Sequence, residues 1–176
     1  MVGLNDRFRD ALADRPDVPA AELYLRRSGP GFCLHEPLRA YSARTRRLLT
    51  CIEEVGAAVP TTMAGYDLVH LDYQPANVLV DDTGALTGIV DWDGAARGDA
   101  GFDLVVLLFG LHATAESAAA IALLEDRLRC RLSGDLLRTY WAHMSLRLVD
   151  WAIRHHGPDE VDVWLQLADH GLHHEL

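Results

Sequence analysis

The chain has 176 residues, 49% hydrophobic and 24% charged, a globular balance with enough apolar material for a packed core. Sixteen basic residues face 26 acidic ones for a net charge of −10, which disfavours nucleic acid as a partner. All 16 bases are arginine, so no chemistry that needs a lysine ammonium runs on this chain alone.

Met1–Asp6 has neither a basic nor an apolar leader region, so no signal peptide is expected. Residues 4–14 predict a short helix stopped before Pro16, and residues 19–27 a second helical piece ended by Ser28-Gly29-Pro30-Gly31. Pro37 sits where a long helix opens, with Leu38, Tyr41, Thr45, Leu48, Ile52 and Val55 on one buried stripe. From Thr61 the texture becomes β-like. Leu68-Val69, Val78–Val80 and Leu86–Val90 are short strands, and the turn signal Asp81-Asp82-Thr83-Gly84 joins the last two into a hairpin.

After Gly98 the chain turns helical again, with Asp99 as cap and Phe102–Leu111 apolar nearly all round, as in a buried helix. That stretch contains Asp103 and is too short to cross a bilayer, so no membrane partner is expected. Leu137, Tyr140, Trp141, Met144, Leu148 and Trp151 share one face of the longest helix, which Gly157-Pro158 ends. A final helix carries Val161, Trp164, Leu165, Ala168 and Leu172. His170, His173 and His174 share one of its faces, a spacing open to Zn²⁺, although solvated histidines at a chain end are the plainer reading. Cys33, Cys51 and Cys130 are widely spaced and odd in number, which predicts three reduced, packed cysteines and a cytoplasmic setting. The expected architecture is α+β and mostly helical, one domain over 1–176: a helical lead-in at 1–60, a β patch at 65–104 and helices over 105–176.

The chemistry-bearing residues gather in the β patch. His70-Leu71-Asp72-Tyr73-Gln74-Pro75-Ala76-Asn77 lies between two strands, and the strand Leu86–Val90 runs into Asp91-Trp92-Asp93. The hairpin brings Asn77 and Asp91 side by side. An amide oxygen and a carboxylate are hard ligands suited to Mg²⁺, and Asp72 can orient or deprotonate a hydroxyl. Phosphoryl transfer asks for these parts.

His70-x-Asp72-x4-Asn77, the hairpin, Asp91 and then Gly98-Asp99-x3-Asp103-Leu104 resemble the catalytic half of the aminoglycoside phosphotransferase family, within the protein-kinase-like superfamily. The resemblance implies a kinase-like large lobe and an ATP- or GTP- and Mg²⁺-dependent transfer of phosphate to a small-molecule hydroxyl. It makes Asp72 the catalytic carboxylate, Asn77 and Asp91 the metal ligands, and His70 a structural support of the loop. Asp93 becomes a further contact near the metal, and Asp103 either a partner of loop amides or a plain helix cap. Leu71 stands where the family usually has Gly, which a Leu fits if its φ is negative. Tyr73-Gln74-Pro75-Ala76 replaces the commoner Leu-His-Pro-Gly.

The resemblance also implies a small lobe with a phosphate-gripping lysine. About 60 residues precede the motif, they read as helices, and the chain has no lysine. The expectation is therefore a lone large lobe, inactive by itself, with ATP and Mg²⁺ used only with a complete small lobe. Its partners would be a hydroxyl-bearing substrate, cationic if the acidic balance counts, and a small lobe in trans or a second copy. Two alternatives remain: a non-catalytic pseudokinase-like interaction module, and a haloacid-dehalogenase-like phosphatase with Asp91 as nucleophile and Asp93 as acid/base.

Overall fold

The computed structural model describes residues 1–29, 33–113 and 118–173. Its elements are α1 (Val2–Asn5), a 3-10 turn at Asp6–Phe8, α2 (His35–Tyr41), α3 (Ala43–Ala57), β1 (Asp67–Val69), a 3-10 turn at Pro75–Asn77, β2 (Val78–Val80), β3 (Leu86–Ile89), β4 (Ala96–Gly98), α4 (Gly101–Ala113), α5 (Ala118–Arg131), α6 (Gly134–His155) and α7 (Pro158–His173). The architecture is the mostly helical α+β fold expected. The strands form two separate two-stranded antiparallel sheets, β1 with β4 and β2 with β3. A dehalogenase-like phosphatase needs a doubly wound parallel sheet around the strand before Asp91, so that alternative loses its structural basis. Contacts divide the chain into two compact units, Met1–Ala21 with Thr62–Leu128 and Glu22–Thr61 with Arg129–Leu176.

In the first unit the β2–β3 hairpin forms where the turn signal places it, with Val78 opposite Ile89 and Leu79 opposite Gly88. Asp81 Oδ1 accepts from the amides of Thr83 and Ala85 and closes the turn. The β4 strand, Ala-Arg-Gly, has no β-formers for a sequence reading to find. It exists because β1 lies beside it, Asp67 facing Gly98 and Val69 facing Ala96. Gly65 sits at φ 103, and a Cβ there would stand 2.5 Å from the Gly98 carbonyl oxygen. Residues 104–109 of α4 are all buried, as the unbroken apolar run predicts. The Asp99 carboxylate accepts from the Gly101 amide at the helix start.

The helix expected over 4–14 shrinks to α1 and one 3-10 turn. Arg9 is extended, and Asp10 is left-handed at φ 53. The Asp10 amide donates to Asp67 Oδ1 at 2.8 Å and the Leu12 amide to the Tyr66 carbonyl at 2.9 Å. Tertiary partners thus take N–H groups that a helix would use. The helix expected from residue 19 is also absent. Ala20 bridges Arg97 in parallel, and the Ala21 amide donates to the Arg97 carbonyl at 2.8 Å.

In the second unit the same stretch continues extended, the Leu23 amide donating to the Thr61 carbonyl at 2.7 Å. Leu23 and Leu25 are buried at alternate positions, the period of a strand. Pro30 and Gly31 of the expected break lie outside the described residues. The single long helix expected after Pro37 is two helices, parted at Ser42 (φ −155, ψ 169), whose side chain and that of Thr45 form a reciprocal capping box. Leu38, Thr45, Leu48 and Ile52 are buried as expected, while Tyr41, beside the break, is exposed.

On α6, Leu137, Tyr140, Trp141 and Met144 are core, but Val149 and Ala152 take the inner positions assigned to Leu148 and Trp151. Val161, Leu165, Ala168 and Leu172 of α7 are buried. Gly171 packs directly on the Trp141 indole, where any side chain would collide. Arg44 of α3 reaches Asp169 (2.8 Å) and Asp162 (3.4 Å) on α7. All three cysteines are free, Cys130 exposed rather than packed. The His173 side chain and His174 lie outside the described residues. Among the described residues no helix is long and apolar enough to cross a membrane.

Candidate active site

The loop after β1 is built from the buried Val69 outward. The carboxylate of Asp103, fully buried in the first turn of α4, accepts from the His70 amide (Oδ2, 2.9 Å) and the Leu71 amide (Oδ1, 3.0 Å). Charge-assisted bonds of this kind are the stronger class. Leu71 is left-handed at φ 68, against the negative φ expected for a Leu in the glycine position. The two bonds to Asp103 from this turn hold a conformation that costs a non-glycine residue roughly 1–2 kcal/mol.

His70 points back under the loop. Its Nε2–H donates to the Val90 carbonyl at 2.9 Å, which leaves Nδ1 to accept from the Asp72 amide at 3.3 Å. Its ring lies 4.5 Å from that of Trp92. Tyr73 is fully buried, edge-on to Phe8, and its hydroxyl donates to the Met1 carbonyl at 2.8 Å. Burial, then the Asp103 charge, push the phenol up to about 12, so it remains a donor at neutral pH. Phe8 also meets Trp92 edge-on at 5.6 Å. This aromatic floor of Phe8, Tyr73, His70 and Trp92 was not read from the sequence. The available signal was the aromatic residue directly after each of Asp72 and Asp91.

Asp72 Oδ2 accepts from Asn77 Nδ2 at 2.8 Å and from Gln74 Nε2 at 3.0 Å. The Asn77 Nδ2 group also donates to the Asp72 carbonyl at 2.9 Å. Gln74, not singled out in the sequence, is thus a second donor to Asp72. Pro75 opens the 3-10 turn that delivers Asn77 to β2, and the Val90 amide donates to the Asn77 carbonyl at 3.0 Å. Asn77 and the end of β3 therefore lie side by side, as the hairpin predicts. Asp91 follows at φ 64, exposed, its carboxylate without a hydrogen bond or ion pair among the described residues. Asp93 is also exposed and without such a partner. Among the described residues no three His, Cys, Asp or Glu side chains gather into a metal-binding group.

Asp67, another residue the sequence did not flag, supports the site from behind. Its Oδ1 holds the Asp10 amide and its Oδ2 the Ala100 amide, 2.9 Å away, while the buried Asn5 side chain donates to the Ala100 carbonyl. The start of α4, and with it Asp103, is fixed by these bonds.

The helices, the hairpin and the loop between β1 and β2 are those of a mostly helical, kinase-like lobe. The chain matches the phosphotransferase enzyme family (APH) over residues 51–143, just over half its length, and it belongs to that family. No curated protein sequence matches it. Among solved structures it is similar to the apo form of a thermostable mutant of aminoglycoside phosphotransferase APH(4)-Ia (21% identity, TM-score 0.56, 74% of this chain and 43% of that one). It is likewise similar to that enzyme in ternary complex with AMP-PNP and hygromycin B (20%, 0.60, 79% and 47%) and with ADP and hygromycin B (21%, 0.57, 77% and 44%). The chain spans less than half the length of these structures.

Proposed function

We propose that this chain is the phosphate-transferring lobe of a small-molecule kinase, one that moves the γ-phosphate of ATP or GTP onto a substrate hydroxyl. The observation that carries the reading is the Asp72–Asn77 pair. The Asn77 amide nitrogen is committed to Asp72, which leaves Asn77 Oδ1 and Asp72 Oδ1 as the atoms open to other partners. Asp72 Oδ1 then accepts the hydrogen of the acceptor hydroxyl and keeps its oxygen in place for attack. Asn77 and Gln74 hold the other carboxylate oxygen, so that Oδ1 keeps its direction.

Asn77 Oδ1 and the unpaired Asp91 carboxylate are hard oxygen donors of the kind Mg²⁺ takes, with phosphate oxygens and water filling the remaining positions. Bound there, the ion would neutralise charge on the nucleotide phosphates. Asp93 adds negative charge beside that position. His70 and Asp103 are positioning residues: one ties the loop to the end of β3, the other to α4. The acceptor class is a hydroxyl-bearing, cationic small molecule. The net charge of −10 supports this, as does the hygromycin B bound in the APH(4)-Ia complexes.

No lysine is present to grip the nucleotide phosphates, so turnover is expected only with a complete small lobe, in cis or in trans. The purified chain should show weak, millimolar-range Mg²⁺ binding in titration calorimetry, lost in Asp91→Ala, and no ATP turnover. An unchanged titration in Asp91→Ala would sink the metal role. Robust Asp72-dependent phosphorylation of an aminoglycoside by the chain alone would overturn the requirement for a small lobe.

A second, non-catalytic reading as an interaction module draws on the exposed apolar hairpin residues Leu79, Val80, Leu86 and Val90. A clean monomer in gel filtration would count against it.

A further inference from the structure

An open groove of about 480 Å³ lies between the N-terminal segment and β3, and the proposed transfer does not use it. Leu4 and Arg7 line one side, and Leu86, Thr87, Ile89 and Trp92 the other. Its volume is in the range of small-molecule sites, which combine apolar walls with a few polar groups. The Trp92 Nε1–H is committed to the Ile89 carbonyl at 2.9 Å, so the part of the indole that lines the groove offers carbon surface and no donor.

Arg7 carries the one formal charge in the lining. Among the described residues it makes no hydrogen bond or ion pair. The neighbouring acid, Asp6, is held by both its oxygens on Arg127, at 2.7 and 2.8 Å. One guanidinium fork matches one carboxylate in charge and shape. A phosphate dianion fits less well, because the lining holds one guanidinium to balance its two negative charges.

We propose that this groove is a binding site for a small aromatic carboxylate, the ring held against Trp92 and the leucine and isoleucine walls, the carboxylate on Arg7. The Thr87 hydroxyl supplies a second donor. Apolar burial provides affinity for the ring, and the single unmatched arginine selects the anion over its neutral counterpart.

The test is titration calorimetry of the full chain with 2-naphthoate, with the neutral 2-naphthalenemethanol and with phenyl phosphate. Naphthoate should bind at least about tenfold more tightly than the alcohol, the worth of one charge-assisted hydrogen bond. Arg7→Gln should reduce naphthoate to the level of the alcohol without moving the unfolding midpoint. Leu86→Trp, at a side chain already 45% exposed, should fill the groove and weaken both naphthalene ligands. Equal affinity for acid and alcohol, wild-type naphthoate binding by either variant, or no binding would overturn the site. Tighter binding of phenyl phosphate than naphthoate would overturn the choice of a carboxylate.

Discussion

The Asp103 carboxylate lies 2.9 Å from the backbone amide of His70, across 33 residues of chain. With the Leu71 amide on its other oxygen, this buried group sets the height of the loop above α4. The loop then places Asp72, and Asp72 places Asn77. One carboxylate beneath the site therefore positions the two side chains assigned to hydroxyl and metal.

Asp103→Ala leaves two loop amides without this acceptor. At about 1–3 kcal/mol for each unsatisfied buried group, the expected loss is about 3 kcal/mol in urea unfolding. Asp103→Asn, which keeps one carbonyl oxygen, should lose about half as much. A loss below about 1 kcal/mol for the alanine variant would mean that the loop does not depend on this contact.

Leu71 at φ 68 predicts an inverted order of substitution. A β-branched side chain tolerates a left-handed backbone worst and glycine best. Leu71→Ile should therefore unfold at lower urea than Leu71→Gly, by about 1–2 kcal/mol, although it preserves apolar bulk. The opposite order would show that side-chain packing at Leu71 outweighs its backbone.

His143, wholly buried in α6, makes stability depend on pH. Burial first, and then the Arg147 charge, lower its pKa from 6.5 to about 3. As pH falls below 6.5 the unfolded chain takes up a proton that the folded chain refuses, so stability declines until the folded group titrates near 3. Between about pH 7 and pH 5 the expected loss is about 2 kcal/mol. Asp150, its carboxyl raised mainly by burial, acts with the opposite sign, gaining stability as pH falls through its folded pKa. Comparison with His143→Gln isolates the histidine's share, and an equal pH slope in the two proteins would refute it.

The expected helix at 19–27 marks where local reading ran out. Ala21, Leu23 and Leu25 alternate, a period-two signal in plain view, but helix-forming neighbours masked it and the decisive hydrogen bonds go to residues far along the chain. The break at Ser42 was written in a Ser-x-x-Thr spacing, but the apolar stripe running past it read as continuous. The α4 helix and the hairpin were legible because each needs only its own residues: an unbroken apolar run in one, a turn flanked by β-branched residues in the other.

By itself the sequence determined the order His70, Asp72, Asn77, Asp91, Asp103, the hairpin that sets Asn77 beside the end of β3, and the absence of any lysine. These are matters of residue identity and short-range spacing. The tertiary structure alone decided that Asp103 carries two loop amides, that Leu71 is left-handed, that Phe8 and Tyr73 floor the site, and that Arg7 and Trp92 line one groove. Each of these depends on which distant group satisfies a buried donor or fills a gap, and no local pattern encodes that choice.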